Sequence, residues 1–143
     1  MSFGKDLSKF NDKALDAAKK VLQGAALEVL GSVVKRTPVD TGRLRGNWQT
    51  SLNSARSGEV DTGANVALRK IATETSKMRL SDSIYMMNNL PYARTVEYGT
   101  FPQGKGKTDK TLNGFSSQAV GGMVRVTIAE WIFTVMRKAR DNK

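Results

Sequence analysis

The stretch Thr37-Pro38-Val39-Asp40-Thr41-Gly42-Arg43-Leu44-Arg45-Gly46-Asn47-Trp48 limits what this chain can fold into more than any other, because one periodicity stops there and another begins. Pro38 disfavours helical geometry at Thr37, and Asp40-Thr41-Gly42 is turn chemistry. From Asn47 onward Trp48, Thr50 and Leu52 alternate with Asn47, Gln49 and Ser51 at strand period. A helix must end, the chain must turn, and a strand must start. Arg43 and Arg45 fall in the turn with one leucine between them, where local rules expose both. Two readings stand for them, a solvated connector and a polar docking loop.

Upstream, from about residue 4 to 36, apolar residues fall at Phe3, Leu7, Phe10, Ala14, Ala17, Val21, Ala25, Val29 and Val33. Steps of three and four mark an amphipathic helix, roughly 45 Å long at about 1.5 Å per residue. Gly24 and Gly31 weaken it or mark close packing. The first turns have heptad spacing, which allows a coiled coil, but the stripe drifts after Val21 and so favours packing on a sheet.

Downstream, a strand is expected over about 47–54 and a second helix capped by Asp61 or Thr62, with Ala64, Ala67, Leu68, Ile71 and Ala72 on one face. Ser83 to Asn89 reads as a second strand, closed by Leu90-Pro91. Tyr92 to Gly99 suits two helical turns with Tyr92, Val96 and Tyr98 inward and Gly99 as terminator. Residues 101–118, with three glycines and several lysines, read as a flexible basic loop. A C-terminal helix over about 120–140 carries Val124, Ile128, Trp131, Ile132, Val135, Met136 and Ala139 on one stripe. The whole, residues 1–143, reads as one α+β domain in which a small antiparallel sheet is flanked by a long N-terminal helix and a C-terminal helix.

The chain lacks histidine and cysteine. These absences remove the commonest general base, thiolate metal sites and disulfides, so neither an enzyme nor a cofactor or metal site is expected. No run approaches the roughly 18 apolar residues a membrane helix needs, and the N-terminus has no secretory-signal pattern. The net charge of +10 is uneven: residues 1–46 hold 9 basic and 5 acidic residues, 47–100 hold 6 and 5, and 101–143 hold 8 and 3. A basic surplus at both ends favours acidic partners, nucleic acid or protein.

Three motifs tempt a chemical reading. Asp-Thr-Gly occurs at Asp40 and again at Asp61, but the first runs into arginines and the second precedes a helix, so the equivalent strand settings of an aspartic protease are missing. Gly99 to Gly106 imitates a phosphate loop yet ends in glycine where a magnesium-binding hydroxyl belongs. Tyr85, Tyr92, Tyr98, Phe101 and Phe115 could stack on bases, but all except Phe101 and Phe115 are read as core.

Residues Thr37 to Trp48, then Asn88-Asn-Leu-Pro-Tyr-Ala-Arg-Thr-Val-Glu-Tyr-Gly99, then Gly121-Gly-Met-Val-Arg-Val-Thr-Ile-Ala-Glu-Trp131, resemble the signatures of tail-completion and head-to-tail joining proteins of tailed bacteriophages. Between Gly99 and Val120 the chain departs from them with a longer lysine-rich insertion and with Gln118-Ala-Val-Gly. The resemblance implies a virion protein forming a ring in the neck, six-fold first and twelve-fold second, through which phage DNA passes without sequence-specific contact. It implies tail terminator or capsid connector proteins (adaptor, stopper or portal) as partners, the virion as location, and the host cytoplasm during assembly. Candidate interaction residues are Arg43, Arg45, Phe101, Lys105, Lys107, Lys110 and Phe115. The rival reading is a basic accessory protein that binds nucleic acid without regard to sequence.

Overall fold

The computed structural model describes residues 2–102 and 110–142. Helix α1, Phe3–Arg36, is followed by a single turn α2, Arg43–Gly46, and strand β1, Gln49–Leu52. Helix α3, Ala64–Lys77, crosses over to strand β2, Ile84–Met87, which lies antiparallel to β1 with Thr50 opposite Met86 and Ser51 opposite Tyr85. Helix α4, Ala93–Tyr98, a small hairpin of β3, Thr111–Leu112, and β4, Phe115–Ser116, and helix α5, Val124–Asp141, complete the α+β domain.

Helix α1 stops at Pro38 as expected, with Thr37 extended at φ −68° and ψ 127°. The expected strands are shorter than their patterns. Asn53 ends β1 in a left-handed turn at φ 59°, where its amide N–H donates to Ser83 O and its side chain binds Asp82 and the Ser83 N–H. Helix α3 begins without a side-chain cap from Asp61 or Thr62. Thr62 is used elsewhere, its hydroxyl donating to Gly46 O at 2.9 Å. Helix α5 starts at Val124 rather than near 120, because Gly121 and Gly122 adopt φ of 92° and 98°, outside helical geometry.

Leu44, Trp48, Ile71, Leu90, Val96 and Met123 form the centre of the core, with Val33 and Val34 closing it from α1. Helix α1 therefore packs on helices α3 and α5 and not mainly on a sheet. Only its second half takes part: every residue from Ser2 to Ala18 is exposed, while Ala25, Gly31, Val33 and Val34 are buried. Helix α5 lies alongside this half in the opposite direction, since Arg36 meets Glu130 and Glu28 meets Arg137 and Lys138.

The aromatic assignment is reversed. Tyr85, Tyr92 and Tyr98 are exposed, whereas Phe101 is half-buried against the core and Phe115 is half-buried over Gly99. The tyrosines lie on faces that two short strands and a two-turn helix leave uncovered. Phe101 is drawn in because its amide donates to Gly114 O at 3.0 Å, tying it to the hairpin that forms where the sequence suggested only loop.

Candidate interaction surface

The turn after α1 is built by its own arginines. The Arg45 guanidinium donates to Thr37 O at 2.7 and 3.1 Å and to Lys35 O at 3.0 Å, satisfying carbonyls that the last turn of a helix leaves without partners. The Thr37 hydroxyl donates to Val33 O at 2.7 Å and accepts from Trp48 Nε1 at 2.7 Å, so the indole is fixed to the helix end. Arg45 thus fastens α1 to α2. Arg43 remains exposed and pairs with Glu59 at 2.7 Å. We expect Arg45→Ala to lower folding stability by about 2 kcal/mol, from two lost charged contacts to backbone carbonyls. Arg45→Lys should recover less than half of this, since a point charge cannot span both carbonyls. Urea unfolding of the two variants measures it, and an unchanged midpoint for Arg45→Ala would refute the capping role.

The three stretches that carried the resemblance come together. Asn88 donates to Leu44 O at 2.8 Å, and Leu44 and Trp48 share the core with Leu90, Ala93 and Val96. Glu97 then holds the third stretch: its carboxylate accepts from the Met123, Val124 and Arg125 amides at 2.7, 2.9 and 2.9 Å, while Arg125 Nη2 donates to Glu97 O at 2.7 Å. It serves α5 as a cap from a distant helix. Burial pushes this carboxyl up, but the three amides and the Arg125 charge outweigh it and hold the pKa below the ordinary value. Sequence reading missed Glu97, and a carboxylate inside a two-turn helix gave no local signal of it.

A cavity of about 440 Å³ lies between Pro38–Leu44 and the hairpin, floored by Leu44, Tyr92, Val96 and Phe101 and rimmed by Asp40, Arg43 and Lys110. Gln118 closes one side by exchanging hydrogen bonds with the backbone of Val39 in both directions, at 2.9 and 3.0 Å. Lys110 stands exposed, 3.8 Å from Asp40, a pairing worth little in water. Lys105 and Lys107 fall outside the described residues. Phe101, Lys110 and Phe115 are brought to one region, with Arg43 on the cavity's far rim, and Arg45 is committed to the α1 end.

The two Asp-Thr-Gly triplets approach each other, with Thr41 and Gly42 facing Asp61, Thr62 and Gly63 across an open hollow. Asp40 does not line that hollow, so no carboxylate pair forms there. Among the described residues, no group of three or more histidine, cysteine, aspartate or glutamate side chains is placed to hold a metal ion. No described helix is long and apolar enough to cross a membrane.

The apolar faces of the two long helices are more conspicuous. Phe3, Leu7 and Phe10 on α1 are 82, 55 and 72 % exposed, and Ile128, Trp131, Ile132 and Met136 on α5 are 55, 48, 44 and 63 % exposed. Of the stripe expected to bury α5, Val124 packs against the core and Val135 is half-buried, while Ile128, Trp131, Ile132, Met136 and Ala139 face solvent. Thr127, Glu130, Arg137 and Lys138 of α5 meet Arg36 and Glu28 of α1. Monomeric proteins rarely leave such contiguous apolar area bare.

Fold and surface together define a small α+β subunit distinguished by uncovered helix faces. A family model described as "Bacteriophage HK97-gp10, putative tail-component" matches residues 2–99, well over half the chain. The chain belongs to this HK97-gp10-like family and is a structural protein of the phage tail-component class. No curated protein and no solved structure matches it.

Proposed function

We propose that the protein forms a ring in the phage neck, between the capsid connector and the tail tube, that completes the tail and lets DNA pass. The observation that carries this reading is the pair of bare apolar helix faces on a member of a tail-component family, since an assembly subunit needs such faces and an isolated protein is penalised by them. Six copies match a tail tube and twelve would match the portal side. Tail terminator and capsid connector proteins are the adjoining partners, and the net charge of +10 suits a lumen crossed by DNA through contacts to phosphate.

A phage unable to make the protein should accumulate filled heads and separate tails, and purified protein should restore joining. Normal infectious particles without it would refute the neck assignment. The same surplus charge favours the accessory DNA-binding alternative. That alternative requires tight binding by the free protein at physiological salt, whereas a neck subunit should bind DNA weakly and lose it steeply as salt rises.

A further inference from the structure

We infer that copies of this chain join by laying the free N-terminal half of α1 along the exposed apolar stripe of a neighbouring copy's α5. The first support is the line on α1 itself. From Phe3, alternating steps of four and three pass through Leu7, Phe10, Ala14, Ala17 and Val21, and the same steps continue to Gly24, Glu28 and Gly31. The continuation is where the chain's own α5 sits: the Lys138 side chain passes over Gly24, and Glu28 pairs with Arg137 and Lys138. At about 20° of drift per heptad, the outer half offers a helix a side within about 60° of the one the inner half already offers to α5, and offers it apolar residues where the inner half has small and charged ones.

The second support is length and area. Helix α5 has 18 residues, about 27 Å at about 1.5 Å per residue, and the free part of α1 from Phe3 to Lys20 has the same length. Phe3, Leu7 and Phe10 on one face and Ile128, Trp131, Ile132 and Met136 on the other expose on the order of 800 Å² of apolar surface in total, judged from the size of such side chains. With their polar surroundings the two faces reach the range of about 1,200 to 2,000 Å² that specific interfaces bury.

The third support is arithmetic. Each chain carries one face of each kind at different places, so pairing unlike faces covers both, while pairing α1 with α1 leaves the α5 stripe bare. Unlike pairing is heterologous, and repeated heterologous contacts close into a ring when the rotation permits. The pairing stands on the helices alone, and only its closure into a neck ring rests on the proposed function.

The chain has no cysteine, so introduced thiols report without background. Leu7→Cys, Phe10→Cys and Ala14→Cys are each mixed with Ile128→Cys, Ile132→Cys or Met136→Cys and treated with a short bis-maleimide, which tolerates small errors of register. These sites are exposed, so circular dichroism should find every variant folded. Cross-linked dimers should form in the α1 with α5 mixtures and not in either partner alone, and a Leu7→Cys, Ile132→Cys double variant should give a ladder of multimers. That ladder cannot arise within one chain, because Ile132 lies beside Glu28 to Arg36, about 30 Å along α1 from Leu7. Adding Phe10→Asp to the α1 partner should abolish the mixed dimer. No mixed dimer at any pair, or dimers from the α1 variants alone, would overturn the inference. Cross-linked rings from purified protein with no label at the neck of the particle would instead refute the proposed location and leave the interface standing.

Discussion

Gly46→Ala is expected to cost about 4 kcal/mol or more of folding stability. A Cβ at position 46 would land on the Thr62 carbonyl oxygen, and backbone has no flexible end that can move aside. The contact exists because α2 and the segment entering α3 touch directly: the Thr62 hydroxyl donates to Gly46 O, and the Asn47 side chain bridges Arg43 O and the Val60 amide at 2.9 Å each. Making room would pull these bonds apart and loosen Leu44 and Trp48 with them. Gly31→Ala is the control, because no atom lies within 4 Å of its Cβ position and alanine favours the helix by about 1 kcal/mol. Urea unfolding of both variants gives the comparison. A Gly46→Ala protein as stable as the parent would mean that α2 and the α3 entry are not in contact.

Glu97→Ala should destabilise by about 3 kcal/mol, because three α5 amides lose their acceptor and Arg125 loses its counter-charge in a largely dry site. At about 2 to 4 °C per kcal/mol for a chain of this size, the melting temperature should fall by about 10 °C. Glu97→Gln keeps one carbonyl oxygen and should lose about half as much.

The same carboxylate sets an acid limit. Its folded pKa lies below the ordinary 4.5, so its stabilisation is present above that value and is lost as pH falls through the folded pKa. Glu28, lowered chiefly by its hydrogen bond from Arg137, adds in the same direction. Asp82, drawn down to about 2 by Asn53 and by the Arg79 amide and side chain, extends the window. Stability should therefore decline from about pH 4.5 toward pH 2, and Glu97→Gln should flatten the upper part of that decline. A parallel curve for the two proteins would exclude Glu97 as a contributor.

The backbone plan was legible where a residue acts on its own neighbours. Pro38 ended α1, a strand formed within the run from Asn47, though with Asn47, Trp48, Thr50 and Ser51 all buried rather than alternating, and Gly99 terminated α4 at φ 67° with its amide on Thr95 O, while β2 stopped at Met87, ahead of Pro91. The small sheet between a long N-terminal and a C-terminal helix follows from those local rules and from periodicity. The signature stretches were legible as well, because they are written in the residue order itself.

What only the tertiary structure decided is which face of each element meets another. Periodicity marks an apolar stripe without naming what covers it: Phe3 to Phe10 are bare because the first half of α1 extends beyond the packed body, and Ile128 to Met136 because α5 meets α1 with another face. Arg45 read as a free docking group because its acceptors, Lys35 O and Thr37 O, lie across a turn whose path no local rule specifies. Glu97 was invisible for the same reason, since its value comes from amides 26 to 28 residues away. Hydrogen-bond partners across a fold depend on where backbones are brought, and composition and spacing carry no record of that.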